Sequence, residues 1–98
     1  MKPAAAALAL GAMRRVARAD GEDGSETRLI EVAAGLLGVD PGQPPVELEA
    51  LRSATLDARD ARRVVQAAIL TALAGGHGDP SEVGEVRAVA EALGVDEP

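Results

Sequence analysis

Apolar residues recur at helical spacing in five stretches of the chain, and each stretch is bounded by glycine, proline or short polar residues. No stretch has the two-residue alternation that predicts a strand. The five predicted helices run from about Pro3 to about Ala19, from Ser25 to Gly38, from Val46 to Ala54, from Asp57 to Gly75 and from Ser81 to Leu93. The pattern therefore predicts an all-α fold.

The ends and the inner faces of these helices follow from residue type. Ser25, Asp57 and Ser81 are predicted N-caps, because a short side-chain oxygen accepts a hydrogen bond from a free first-turn N–H. The fourth helix has the broadest apolar face, so we expect it at the centre of the fold. The residues predicted to face inward are Leu29, Ile30, Ala33, Leu36 and Leu37 on the second helix, Val64, Val65, Ala68, Ile69, Ala72 and Leu73 on the fourth, and Val83, Val86, Val89, Ala90 and Leu93 on the fifth.

The chain also contains an internal repeat. Residues 19–40 align without gaps to residues 75–96, and eight of the aligned pairs are identical. The shared pattern is a helix end, a polar corner, the dipeptide Ser-Glu, a helix and then Leu-Gly-Val-Asp. This repeat predicts a compact bundle of about five helices built from two equivalent halves.

A secretory leader is the alternative interpretation of the N-terminal segment. Lys2 precedes an apolar run, and Ala17-Arg18-Ala19 mimics a signal-peptidase site. However, three arginines follow the run, and the repeat aligns this segment with the fourth helix, residues 67–74. We therefore predict that it is part of one folded domain covering residues 1–98.

Composition and charge narrow the range of functions. The chain has no Phe, Trp, Tyr or Cys, and its formal net charge is −6 at pH 7. The core must therefore be built from aliphatic side chains and alanine, and thiolate metal sites and cysteine nucleophiles are excluded. The negative charge disfavours nucleic acid as a partner, and the apolar run is too short to insert across a membrane. We expect a cytoplasmic protein.

The corner after the first helix carries the most suggestive chemistry. Asp20, Glu22, Asp23 and Glu26 place four carboxylates within seven residues, and oxygen-rich clusters suit Ca²⁺ or Mg²⁺. The spacing does not match the helix-loop-helix calcium pattern, because Gly24 falls where a ligand is needed. The competing interpretation is that these residues only cap helices, with Glu22 and Asp23 in solvent.

A shared cation site remains possible if the second acidic corner lies beside the first. The candidate metal ligands are then Asp20, Asp23, Glu26, Asp79 and Glu82. Sequence alone does not show whether the two corners converge.

The stretches "ARADGEDGSETRLIEVAAGLLGVD" and "LDARDARRVVQAAILTALAGGHGDPSEVGEVRAVAEALGVDE" resemble the tellurite-resistance TerB-like domain. In that family each half has a helix ending in Ala-Asp-Gly, a Glu about six residues later, and a helix finishing in Leu-Gly. The first half here keeps Asp20, Gly21 and Glu26. The second half keeps Glu82, while Gly76 and His77 stand where the family has Asp and Gly.

The resemblance implies a duplicated all-helical fold, a role in tellurite resistance or a wider stress response, and divalent-cation binding at the acidic corners. The chain offers no recognisable catalytic set, because His77, the only histidine, lies in a Gly-rich loop without an identifiable partner. We therefore expect no enzymatic activity. Two hypotheses remain: a cation-responsive stress module, which we place first, and a metal-free module for protein interaction or homo-oligomerisation.

Overall fold

Five α-helices make up the described part of the fold, in agreement with the predicted class. The computed structural model describes residues 1–19, 21–75 and 79–95, and over these ranges it contains helices, turns and loops but no strand. The helices are α1 (Pro3–Ala17), α2 (Gly24–Leu37), α3 (Leu48–Ser53), α4 (Ala58–Ala74) and α5 (Pro80–Leu93).

The helix α1 is buried along most of its length. Pro3 occupies its first turn, where the missing N–H costs nothing, and a run of alanines gives it a high helix propensity. Its small side chains allow close packing, and its most extensive contacts are with α4. The helix α4 also contacts α2 and α5, as expected for a central helix.

Two clusters of aliphatic side chains form the core. The first joins α1, α3, α4 and α5 through residues such as Leu51, Val64 and Val89. The second joins α1 and α2 through residues such as Leu10 and Ile30. The two hairpins, α1–α2 and α4–α5, thus share α1 and α4 as their common packing surface.

Three of the residues predicted to face inward do not. Leu36 is 83% exposed, Leu73 is 68% exposed and Val83 is 42% exposed. On each of the three helices, α2, α4 and α5, the contact with neighbouring helices is narrower than the apolar face, so one of these predicted residues at its edge stays in solvent. The predictions for Ile30, Val64 and Val89 are confirmed, since all three are fully buried.

The predicted starts of two helices were also wrong. Asp23 and Asp79 are the N-caps of α2 and α5, whereas Ser25 and Ser81 lie inside the first turn. Asp57 caps α4 as predicted. Gly38 and Gly94 end α2 and α5 in the left-handed conformation, with φ of 70° and 69°. The two helices thus begin and end alike, although the equivalence of the two halves stays a prediction.

The loop after α2 is held closely against α1 at a glycine. The Val46 N–H donates a hydrogen bond to the Gly11 carbonyl oxygen over 3.0 Å. A Cβ on Gly11 would lie 3.0 Å from the Val46 Cβ and 3.3 Å from the Pro44 carbonyl oxygen. The absence of a side chain at position 11 therefore allows the proline-rich loop to cross the helix.

Candidate metal site

The first corner is organised by a reciprocal capping box. The Asp23 carboxylate accepts a hydrogen bond from the Glu26 N–H over 2.8 Å, and Glu26 Oε1 accepts one from the Asp23 N–H over 3.1 Å. This Asp-x-x-Glu arrangement satisfies two first-turn donors that would otherwise lack partners. Asp23 and one oxygen of Glu26 therefore have a structural role in starting α2.

The second carboxylate oxygen of Glu26 has no such role. The Glu26 side chain is buried, with 1% of its surface exposed. Its Oε2 atom has no hydrogen-bond donor among the residues that the structure describes. A buried carboxylate oxygen without a partner is costly, because it has lost its water. The charge is partly offset by its position at the positive end of the α2 dipole.

The second corner places a similar pair of residues at the start of α5. The Asp79 carboxylate accepts hydrogen bonds from the Ser81 N–H, over 2.7 Å, and from the Ser81 hydroxyl. Glu82 is the third residue of α5, as Glu26 is the third residue of α2, and it is 2% exposed. The two buried glutamates therefore occupy the same position in their helices.

The two glutamates meet at Gly75, directly after α4. A Cβ on Gly75 would lie 3.2 Å from Glu26 Oε2, 3.2 Å from Glu82 Oε1 and 3.6 Å from the Ala72 carbonyl oxygen. Because Glu26 Oε2 and Glu82 Oε1 both lie 3.2 Å from the same point, the distance between these two oxygens is at most twice 3.2 Å. The acidic corners converge, which the sequence alone left open.

Gly75 is not required by the backbone at this point. Its φ of −69° and ψ of −16° are ordinary right-handed helical values that any residue adopts. The space that a Cβ would fill instead lies 3.2 Å from one oxygen of each carboxylate. Gly75 therefore keeps a small gap open, with three oxygen atoms around it.

The predicted ligands divide into three groups. Glu26 and Glu82 are brought together, while Asp23 and Asp79 act as N-caps. Asp20 lies outside the described residues, as does His77. Within residues 1–19, 21–75 and 79–95, no three acidic or histidine side chains are grouped closely enough to hold a metal ion. The described part of the site thus supplies two carboxylates.

A separate ion pair joins the first corner to α1. Arg14 NH1 donates hydrogen bonds to both carboxylate oxygens of Glu22, over 3.0 and 2.8 Å, and Arg14 NH2 donates to the Pro41 carbonyl oxygen. The Thr27 hydroxyl also donates to Glu22. Arg14 is only 9% exposed. The expectation that Glu22 lies in solvent was wrong, because its carboxylate is held against Arg14 in the last turn of α1.

This environment changes the acidity of Glu22. Burial alone would raise its pKa, but the hydrogen bonds from Thr27 and Arg14 and the positive charges of Arg14 and Arg18 outweigh that effect. The pKa of Glu22 is therefore lowered from its ordinary value. Glu22 serves to hold the corner in place, and its oxygens are already occupied by donors.

The oxygen atoms around the gap at Gly75 are of the type that hard divalent cations bind. Carboxylate and carbonyl oxygens are the ligands of Ca²⁺ and Mg²⁺, and Mg²⁺ in proteins is often bound through one or two carboxylates while it keeps several waters. The C-terminal end of α4 adds the negative end of a helix dipole to the two glutamates. The described residues thus offer two carboxylates at this gap, and Glu26 Oε2 has no donor among them.

Comparison with protein-family models, with curated proteins and with solved structures finds no match to this chain. The resemblance to TerB-like domains therefore stays a prediction based on the residues quoted above. None of the described helices combines the length and the apolar character that crossing a membrane requires.

Proposed function

We propose that this protein is a non-enzymatic helical module that binds a divalent cation, Mg²⁺ or Ca²⁺, between its two acidic corners. Glu26 and Glu82 are the proposed protein ligands. The observation that carries the proposal is the buried Glu26 Oε2 atom, which lacks a donor among the described residues and faces the gap at Gly75 together with Glu82 Oε1.

The charge of the molecule supports the same proposal. The formal net charge of −6 favours the approach of cations over that of anions. The resemblance to TerB-like domains adds the biological setting, which we propose to be a cytoplasmic stress response of the tellurite-resistance type. With two carboxylates and water completing the coordination, we expect weak binding, with a Kd on the order of 0.1 to 1 mM.

Calorimetric titration of metal-stripped protein with MgCl₂ and CaCl₂ tests the proposal. Glu26→Gln removes the charge but keeps the capping acceptor, so weaker binding reports the loss of a ligand. Gly75→Ala keeps both carboxylates and places a methyl group between them, so it should weaken binding at least tenfold by occupying the space. Glu31→Gln removes a charge from an exposed position of the same helix and serves as the matched control.

The expected result is binding to the wild type and to the Glu31→Gln variant, with both other variants impaired. Circular dichroism of each variant confirms that the helices are retained. Absence of binding at about 10 mM of either ion, well above the weakest expected Kd, would refute the proposal. Unchanged binding by both Glu26→Gln and Gly75→Ala would show that a bound ion lies elsewhere.

A second candidate function is a metal-free interaction or homo-oligomerisation module. It is supported by leucines on two helices that lie largely in solvent, Leu36 on α2 and Leu73 on α4. Large exposed apolar side chains are common at sites of protein association when they form a continuous patch. Light scattering that shows a concentration-dependent dimer, which Leu36→Ser or Leu73→Ser abolishes, would favour this function. A monodisperse monomer would count against self-association.

A further inference from the structure

The candidate site places two buried carboxylates close together, so their charges oppose each other. Glu26 and Glu82 are 1% and 2% exposed, and an oxygen of each lies 3.2 Å from the same point at Gly75. Like charges interact more strongly when water is excluded from between them. The N-terminal dipoles of α2 and α5 reduce this cost at each carboxylate, but they do not remove the repulsion between the two.

The two glutamates also belong to different hairpins of the fold. The helices α2 and α5 each pack against α1 and α4, which form the shared surface of the two hairpins. Glu26 lies in the first turn of α2, the second helix of the first hairpin. Glu82 lies in the first turn of α5, the second helix of the other hairpin. A cation held by both carboxylates would add a direct link between α2 and α5.

From this arrangement we propose that the Glu26–Glu82 pair is a cation-dependent stability switch. Without a cation the pair lowers the stability of the fold through charge repulsion, and with a cation it raises that stability by joining the two hairpins. The inference rests on the proposed cation binding and adds to it a consequence for the whole domain. Cation concentration would then control how firmly α2 and α5 are held together.

The test is a comparison of thermal unfolding with and without cation at constant ionic strength. The variants are Glu26→Gln and Glu82→Gln, each tested alone, with Glu31→Gln as a control that makes the same change in net charge at an exposed position. At position 26 glutamine keeps an acceptor oxygen for the capping interaction, and at either position its amide group can donate a hydrogen bond. Two variants ensure that the test survives if one of them fails to fold.

The switch predicts that the order of stability reverses. In chelator, the glutamine variants should melt about 4 °C or more above the wild type, because the repulsion is gone. At a Mg²⁺ or Ca²⁺ concentration ten times the Kd, the wild-type Tm should rise by roughly 6 °C, while the Tm of each variant changes little. The Glu31→Gln control should follow the wild type in both conditions.

Two results would overturn the inference, and they can be told apart from failure of the proposed function. If the wild type binds the cation in calorimetry but is more stable than both variants in chelator, the repulsion is not significant and the switch is refuted while cation binding stands. If calorimetry shows no binding, both the switch and the proposed function are refuted.

Discussion

Replacement of Gly11 by alanine tests whether the proline-rich loop is held against α1 by close packing. Gly11 is buried in the middle of α1, where the Val46 N–H donates to its carbonyl oxygen. A methyl group at this position would meet the Val46 Cβ at 3.0 Å and the Pro44 carbonyl oxygen at 3.3 Å. Backbone atoms of the loop account for part of that contact, so the loop has to move to accommodate the change.

Two opposing effects determine the size of the change. Alanine is more favourable than glycine inside a helix by roughly 0.5 to 1 kcal/mol. Inserting a methyl group into a well-packed region costs about 1 to 3 kcal/mol, and weakening the Val46 hydrogen bond adds to that cost. We expect packing to dominate, with a net loss of about 1 to 2 kcal/mol in the free energy of unfolding.

Urea unfolding followed by circular dichroism measures this difference. Gly35→Ala and Gly84→Ala are matched controls, because both glycines lie within helices and an added Cβ at either would meet nothing within 4 Å. These controls should gain roughly 0.5 to 1 kcal/mol. If Gly11→Ala is stabilised as much as the controls, the loop does not pack tightly on α1 and the reasoning is wrong.

Two further predictions concern the first hairpin. Because the pKa of Glu22 is lower in the folded state than in the unfolded chain, its ionised carboxylate stabilises the fold. This stabilisation is fully present above the ordinary glutamate pKa of about 4.3, and it is lost as the pH falls through the lower pKa of the folded state. The difference in the free energy of unfolding between the wild type and Glu22→Gln, measured by urea unfolding from pH 7 to pH 3, should therefore become smaller as the pH falls. A difference that stays constant over this range would contradict this prediction. Gly38→Ala forces alanine into φ of 70° and should cost about 1 kcal/mol in thermal unfolding, whereas a Tm equal to that of Gly35→Ala would argue against strain at this helix end.

Local features of the fold were predictable because neighbouring residues determine them. Gly38 ends α2 in the left-handed conformation, and Asp57 caps α4, as residue type indicated. The N-cap of α2 was harder to predict, because Asp23 and Ser25 are both good caps and lie two residues apart. Asp23 is the residue that forms the reciprocal pair with Glu26, and this geometry distinguishes it from Ser25.

Features that depend on tertiary packing were not predictable in the same way. The acidic residues of both corners could be named, but their convergence at Gly75 depends on how the two hairpins cross. The burial of Arg14 was missed because its partners, Glu22 and the Pro41 carbonyl oxygen, come from segments beyond the helix. Gly75 itself was assigned only to a helix end, since nothing in the sequence shows which atoms surround a missing side chain.

The close pairing of α1 with α4 has a consequence for the order in which the chain folds. The helix α1, residues 3–17, makes its most extensive contacts with residues 58–74, so residues 18–57 lie in the chain between it and its principal partner. Such long-range pairing slows folding, because a large loop must close before the contacts form. During synthesis α1 is made first, and most of its apolar surface stays uncovered until α4 has been added. The α1–α2 hairpin therefore cannot complete its core alone, and the first half of the domain becomes stable only together with the second.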